Sequence, residues 1–154
     1  MDITTLQETW LFCNATCCRL SEAFSDYNVY HSSAVEEKLS LGILSGRPFG
    51  GTAVLVHKRL AKRTSFQLIT DCRRLTAVRC SMPNGADVIF CSIYMPLNDS
   101  SVDYWVEFEA VVGVMQGLTD NCLGCKFVLV PSIISPKVHS CDILNGFCRS
   151  NSMS

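Results

Sequence analysis

The segment Asp87-Val-Ile-Phe-Cys-Ser-Ile-Tyr-Met95 constrains the fold more than any other. Val88, Phe90 and Tyr94 fall on one parity, and Ile89, Cys91, Ile93 and Met95 on the other. As a strand it is apolar on both sides, and a strand without polar alternation is buried on both faces. It belongs in the middle of a layered structure, with packing above and below. Leu75-Thr-Ala-Val-Arg-Cys-Ser-Met82 runs before it, and Pro83-Asn84-Gly85 separates the two. Asn-Gly between β-rich runs predicts a hairpin.

The remaining pattern mixes strands and helices. Residues 2–7 read as a short strand, Thr16 to Phe24 as a helix with Leu20, Ala23 and Phe24 on one side, and Val29 to Val35 as a strand. Gly46-Arg-Pro-Phe-Gly-Gly51 is a loop of structure-breaking residues, and Thr52 to His57 is a strand. Ser100 followed by Asp103 fits an acidic capping box that opens a helix. Trp105, Phe108, Val112, Met115 and Leu118 recur at helical spacing, which predicts one apolar stripe turned to the core. Phe127 to Val130 reads as another buried strand, and Cys141 to Cys148 as a short helix. Hairpins combined with helices give the α+β class. No repeat, low-complexity tract or domain boundary interrupts residues 1–154, which are expected to form one unit.

With 154 residues, 48% apolar and 18% charged, the composition is globular and not disordered. No stretch reaches the ~18–20 apolar residues of a membrane span. Met1-Asp2-Ile3-Thr4 lacks the basic start of a secretory signal, so the nucleus or cytoplasm is the expected location. Net charge is −1, but eight of the thirteen basic residues lie between Arg47 and Arg79: Arg47, Lys58, Arg59, Lys62, Arg63, Arg73, Arg74 and Arg79. Asp71 is the one acid among them, and such a block can attract phosphates. The plainer reading is a solvated surface with counter-charges such as Asp99, Asp103, Glu107 and Glu109. Ten cysteines without a secretion signal argue against a disulfide framework. Cys122-Leu-Gly-Cys125 with His139-Ser-Cys141 has zinc-ligand spacing, giving a small zinc-binding protein as an alternative.

Three motifs in order carry a family resemblance: Leu6-Gln-Glu-Thr-Trp-Leu11, Gly46-Arg-Pro-Phe-Gly-Gly-Thr-Ala-Val-Leu55, and Val88-Ile-Phe-Cys-Ser-Ile-Tyr-Met-Pro96. Together they resemble the endonuclease/exonuclease/phosphatase superfamily. More narrowly, they look like the apurinic-type endonuclease domain of LINE-type (non-LTR) retrotransposons. The resemblance implies a DNase I-like, four-layer α/β sandwich: two packed mixed β-sheets flanked by helices. It also implies cleavage of one DNA strand with magnesium or manganese. Glu8 matches the family's metal-ligating Glu, and Tyr94 the Tyr that contacts the scissile phosphate. A cation neutralises charge on the phosphate, and a phenol donates to the phosphoryl oxygen as charge develops there. Arg47, Lys58, Arg59, Arg73 and Arg74 are candidates for holding backbone phosphates of DNA.

The departures shape the expectation further. The family's first strand carries an Asn near the metal, and this chain starts after it. Where the family has Gly-Asp-Phe-Asn, this chain reads Pro131-Ser-Ile-Ile134. The family's Ser-Asp-His ending is missing, and His31, His57 and His139 do not replace its His. Residues of a catalytic group act together, and losing one costs nearly as much as losing all. The expectation is an incomplete domain that resembles an endonuclease and is inactive alone. A non-catalytic remnant that binds nucleic acid or a partner is the alternative. An unfinished sheet also predicts self-association or aggregation.

Overall fold

A computed structural model describes residues 2–9, 20–33, 42, 50–62, 64–69, 72–82, 84–95 and 102–132. In chain order the elements are β1 (Ile3–Gln7), β2 (Tyr27–Ser32), β3 (Thr52–His57), α1 (Lys58–Ala61), β4 (Ser65–Leu68), β5 (Leu75–Ser81), β6 (Asp87–Tyr94), α2 (Val102–Asn121) and β7 (Lys126–Ser132). The fold is α+β. The strands make two sheets of order β1-β3-β2 and β4-β5-β6-β7. Among the described residues the sheet built on β3 is antiparallel. The second is mixed, because α2 carries the chain across to lay β7 parallel to β6. A parallel partner needs such a long crossover.

The expected strand at the centre is there. On one face of β6, Ile89, Cys91 and Ile93 pack with Leu75 and Ala77 against Val111, Met115 and Cys122 of the α2 segment. On the other face, Phe90 joins Val78 against Val54 and Val56 of β3. Each fully buried Val, Ile or Leu contributes about 1.5–3 kcal/mol. The β5–β6 hairpin closes through residues 82–86: Met82 N–H donates to Ala86 O at 2.9 Å and Ala86 N–H to Asn84 Oδ1 at 3.1 Å. Only Gly85 takes a positive φ there (80°). The Asn-Gly pair therefore sits in a five-residue loop and not in a two-residue I′ turn, which needs two positive φ values.

Two expectations are corrected. The second strand begins at Tyr27 and ends at Ser32, displaced toward the N-terminus, because its pairing partner β3 has only six residues and Thr52 ends the register. Trp105 does not face the core and is 53% exposed. The inward phase of α2 is set by Val111, Met115 and Leu118, and one helical period back from these lie Phe108 and Tyr104. Trp105 is rotated off that line and rests edge-on against both rings. The proposed cap at Ser100, residues 16–19 and the helix at 141–148 lie outside the described residues; residues 20–23 are helical.

The interior between the sheets changes character along its length. Val54, Val56, Val78 and Phe90 fill one end. At the other, Thr52 and Thr76 share a buried hydroxyl pair at 2.7 Å, and Thr76 Oγ1 donates to Thr52 O at 3.1 Å. Ser92 Oγ donates to Leu6 O at 2.9 Å, and Gln7 Nε2 to Val130 O at 2.8 Å. Thr76→Val leaves the Thr52 hydroxyl buried without its partner, and is expected to cost about 1–3 kcal/mol in denaturant unfolding. Thr52→Val/Thr76→Val together should cost less than the sum of the two single changes.

Candidate functional site

β1 runs antiparallel to β3 and ends where β3 begins, with Gln7 opposite Thr52. β6 ends at the same edge of the sandwich, and the Ser92–Leu6 and Gln7–Val130 bonds tie β1 across it. The next residue after β1 is Glu8, and the last residue of β6 is Tyr94. Their side chains meet: the Tyr94 hydroxyl donates to the Glu8 carboxylate. These residues are 86 positions apart in sequence and are joined only by the packing of two sheets.

The backbone turns sharply to deliver the carboxylate. Glu8 has φ 55°, the one non-glycine left-handed residue among the described residues. That conformation costs an L-residue roughly 1–2 kcal/mol. Thr9 N–H then reaches Gly51 O at 3.4 Å, beside Gly50 and Gly51 at φ 80° and 87°.

Arg74 completes the cluster. It precedes β5, its carbonyl accepts from Tyr94 N–H at 2.8 Å, and its guanidinium carbon lies 5.3 Å from the centre of the Tyr94 ring. A cation over a phenol face is attracted to it. The same guanidinium pairs with Glu107 of α2 through Nη2. Arg74 Nη1 is buried, with no hydrogen-bond partner among the described residues, and so is Thr9 Oγ1. Burial pushes the Tyr94 hydroxyl up to about 12. The hydrogen bond to Glu8 and that group's charge add to the rise, and Arg74 opposes it. Tyr94 is therefore a hydrogen-bond donor at neutral pH, not a base.

The basic block does not gather here. Lys58 and Arg59 follow β3, at the opposite end of a strand whose six residues span about 20 Å. There Lys58 Nζ donates to Ser25 O at 2.6 Å. Arg59 pairs with Asp2 at 2.6 Å and holds that carboxyl below the usual range. Arg73 is exposed in the turn before β5, next to Arg74. Arg79 is at the far end of β5, 3.2 Å from Asp87. Arg47 lies outside the described residues. Glu107, read from sequence as a solvated counter-charge, is the partner of Arg74, the one block residue among those described that reaches the site. Its helical phase, one residue before Phe108, was the available signal.

Among the described residues no three His, Cys, Asp or Glu side chains converge as a metal site. Glu8 fits a hard cation only in the manner of magnesium, held by one or two carboxylates with several waters retained. Cys122 and Cys125 lie together after α2, while His139 and Cys141 lie outside the described residues. No described helix is long and apolar enough to cross a membrane.

No protein-family model and no curated protein matches the sequence. Among solved structures, truncated TDP2 of Caenorhabditis elegans is similar at 16% identity and TM-score 0.48, over 84% of this chain and 48% of that one. The human Nocturnin catalytic domain with a bound sulfate anion is similar at 17% identity and TM-score 0.47, over 84% of this chain and 49% of that one. The chain thus spans about half the length of these structures.

Two measurements check the site. Glu8→Ala and Glu8→Gly both delete the acceptor, but only glycine takes φ 55° without strain. Glu8→Gly should be the more stable by about 1 kcal/mol in chemical denaturation. Separately, from the ordinary phenol value of 10.0 up to about 12 the unfolded chain releases the Tyr94 proton while the folded chain keeps it. The Tyr94 contribution to stability is whole below that window and falls as pH rises through it, by at most about 1.4 kcal/mol per pH unit. Tyr94→Phe should make that fall shallower, leaving the contributions of Cys91, whose thiol burial pushes from 9.0 up to about 12, and of Tyr30, Cys80 and Cys122, which burial also raises.

Proposed function

We propose that this chain is a partial endonuclease-like domain of LINE-type retroelement origin that binds the phosphodiester backbone of DNA at Glu8, Tyr94 and Arg74 without cutting it. The observation that carries the reading is the Tyr94–Glu8 hydrogen bond with the Arg74 guanidinium over the same ring. The resemblance assigned a metal role to Glu8 and a phosphate role to Tyr94, and the two residues lie at one edge of the sandwich, on different sheets. Arg74 Nη1, buried and unpaired among the described residues, is a donor suited to a phosphate oxygen. Tyr94 is a second donor, since burial keeps its proton. Glu8 is the residue that would hold magnesium, which when bound neutralises phosphate charge and activates water.

Cleavage needs more than this set. A general base must stand within about 2.6–3.2 Å of the attacking water, or act through one further water. Ser132, opposite Tyr94 in register, occupies the strand end after which the family places Asp and Asn. A serine hydroxyl is no base at neutral pH. Glu107 is committed to Arg74.

The test uses the purified full chain with a labelled DNA duplex and a supercoiled plasmid. Binding should weaken about tenfold or more between roughly 50 and 200 mM salt, as phosphate contacts require. Arg74→Gln should weaken it about tenfold at low salt, with Arg74→Lys in between. The plasmid should stay intact in magnesium. Nicking that needs both magnesium and Glu8 would overturn the loss of catalysis. Affinity that Arg74→Gln and Tyr94→Phe leave untouched would remove the site.

A further inference from the structure

A second reactive cluster stands apart from Glu8 and Tyr94. Cys122 follows the last turn of α2, and Cys125 precedes β7. Cys125 N–H donates to Cys122 O at 3.1 Å and closes a four-residue turn. Gly124, its third residue, has φ 82°, which glycine adopts freely. Such a turn keeps its first and fourth Cα atoms within about 7 Å, close to the ~4.4–6.8 Å that a disulfide bridges. Both thiols are free.

Their surroundings differ. Cys122 is buried, and burial pushes its thiol up. Cys125 is more open, and the adjoining Leu123 is 87% exposed, so a small reagent can reach the turn. Arg79 Nη2 lies 3.7 Å from Cys125 Sγ, and the same guanidinium is anchored 3.2 Å from Asp87 Oδ2. A fixed cation beside a sulfur stabilises the charge of an attacking thiolate. Cys91, below the pair, is buried with its thiol pushed up to about 12, and remains a spectator.

We propose that Cys122 and Cys125 form a reversible disulfide by exchange with a low-molecular-weight disulfide, Cys125 attacking first and Cys122 resolving. In the first step Cys125 gives its proton to solvent, and its thiolate attacks one sulfur of RS–SR. The RS–SR bond breaks, the Cys125–S–S–R bond forms, and RS⁻ leaves and is protonated. In the second step Cys122 loses its proton and attacks the Cys125 sulfur, expelling the second RS⁻, which is protonated in turn. The two protein thiols are oxidised by two electrons, and one external disulfide is reduced to two thiols. The crosslink pins the end of α2 to the start of β7, at the crossover that makes β6 and β7 parallel.

The full chain is incubated in glutathione buffers of graded ratio, quenched in acid and alkylated, and the peptide spanning residues 122–125 is read by mass spectrometry. In the wild type this peptide should pass from doubly alkylated to unalkylated, two hydrogens lighter than the dithiol, with no glutathione retained. Cys122→Ser should accumulate glutathione on Cys125. Cys125→Ser should slow modification of Cys122 about tenfold or more. Arg79→Gln should slow the first step about tenfold, and Arg79→Lys should restore most of it. Glutathione lodged on wild-type Cys125, or Cys122 reacting first, would overturn the proposal. So would one zinc per chain that survives purification and is lost from both serine variants, because those thiolates would be committed to metal. The wild-type peptide alone decides between these outcomes if a variant fails to fold.

Discussion

Three short hydrogen-bonded contacts fix how one sheet sits on the other: the Thr52–Thr76 hydroxyl pair, Ser92 on Leu6 O, and Gln7 on Val130 O. Apolar packing alone tolerates sliding, because Val against Val is nearly indifferent to a small shift. Buried polar groups are not indifferent, since each lost partner costs about 1–3 kcal/mol. These contacts lie at one end of the interface, so the alignment is tightest there. Glu8 and Tyr94 occupy that end, and their meeting follows from the alignment of β1 over β6.

The same end also carries unfavourable features. Glu8 holds a left-handed backbone, and a guanidinium nitrogen and a threonine hydroxyl are buried without partners among the described residues. Strain and unmet polar groups persist where the surroundings over-determine them. At the opposite end Lys58 and Arg59 are exposed and paired with Ser25 O and Asp2, and Arg79 Nε, 3.2 Å from Asp87 Oδ2, is buried without a hydrogen bond among the described residues. The left-handed Glu8 is what sets its end apart from a merely charged surface.

Much of the architecture was legible in the sequence for local reasons. The double-sided apolar run of β6, the Asn-Gly loop and the six residues of β3 each signal their structure without reference to the rest. The phase of α2 was not legible, because a stripe containing Trp105 fits the helical period as well as one through Tyr104 and Val111. Which arginine serves the site was also hidden. Arg59, Arg74 and Arg79 are close in sequence, but β3 and β5 carry their neighbours to different ends of the sandwich. The pairing of Glu8 with Tyr94 was readable only through family resemblance, since no periodicity links residues on different sheets. The spacing of Cys122 and Cys125 was plain, whereas Arg79 beside them required the β5–β6 register.

Pro131 has a consequence for how this molecule meets its own copies. Among the described residues β7 forms the border of its sheet, and Val128 there is 42% exposed. A proline has no N–H, so within a sheet it is accommodated on a border strand. A proline within the strand disfavours fibre-like stacking at a border that carries no charge between Phe127 and Pro131.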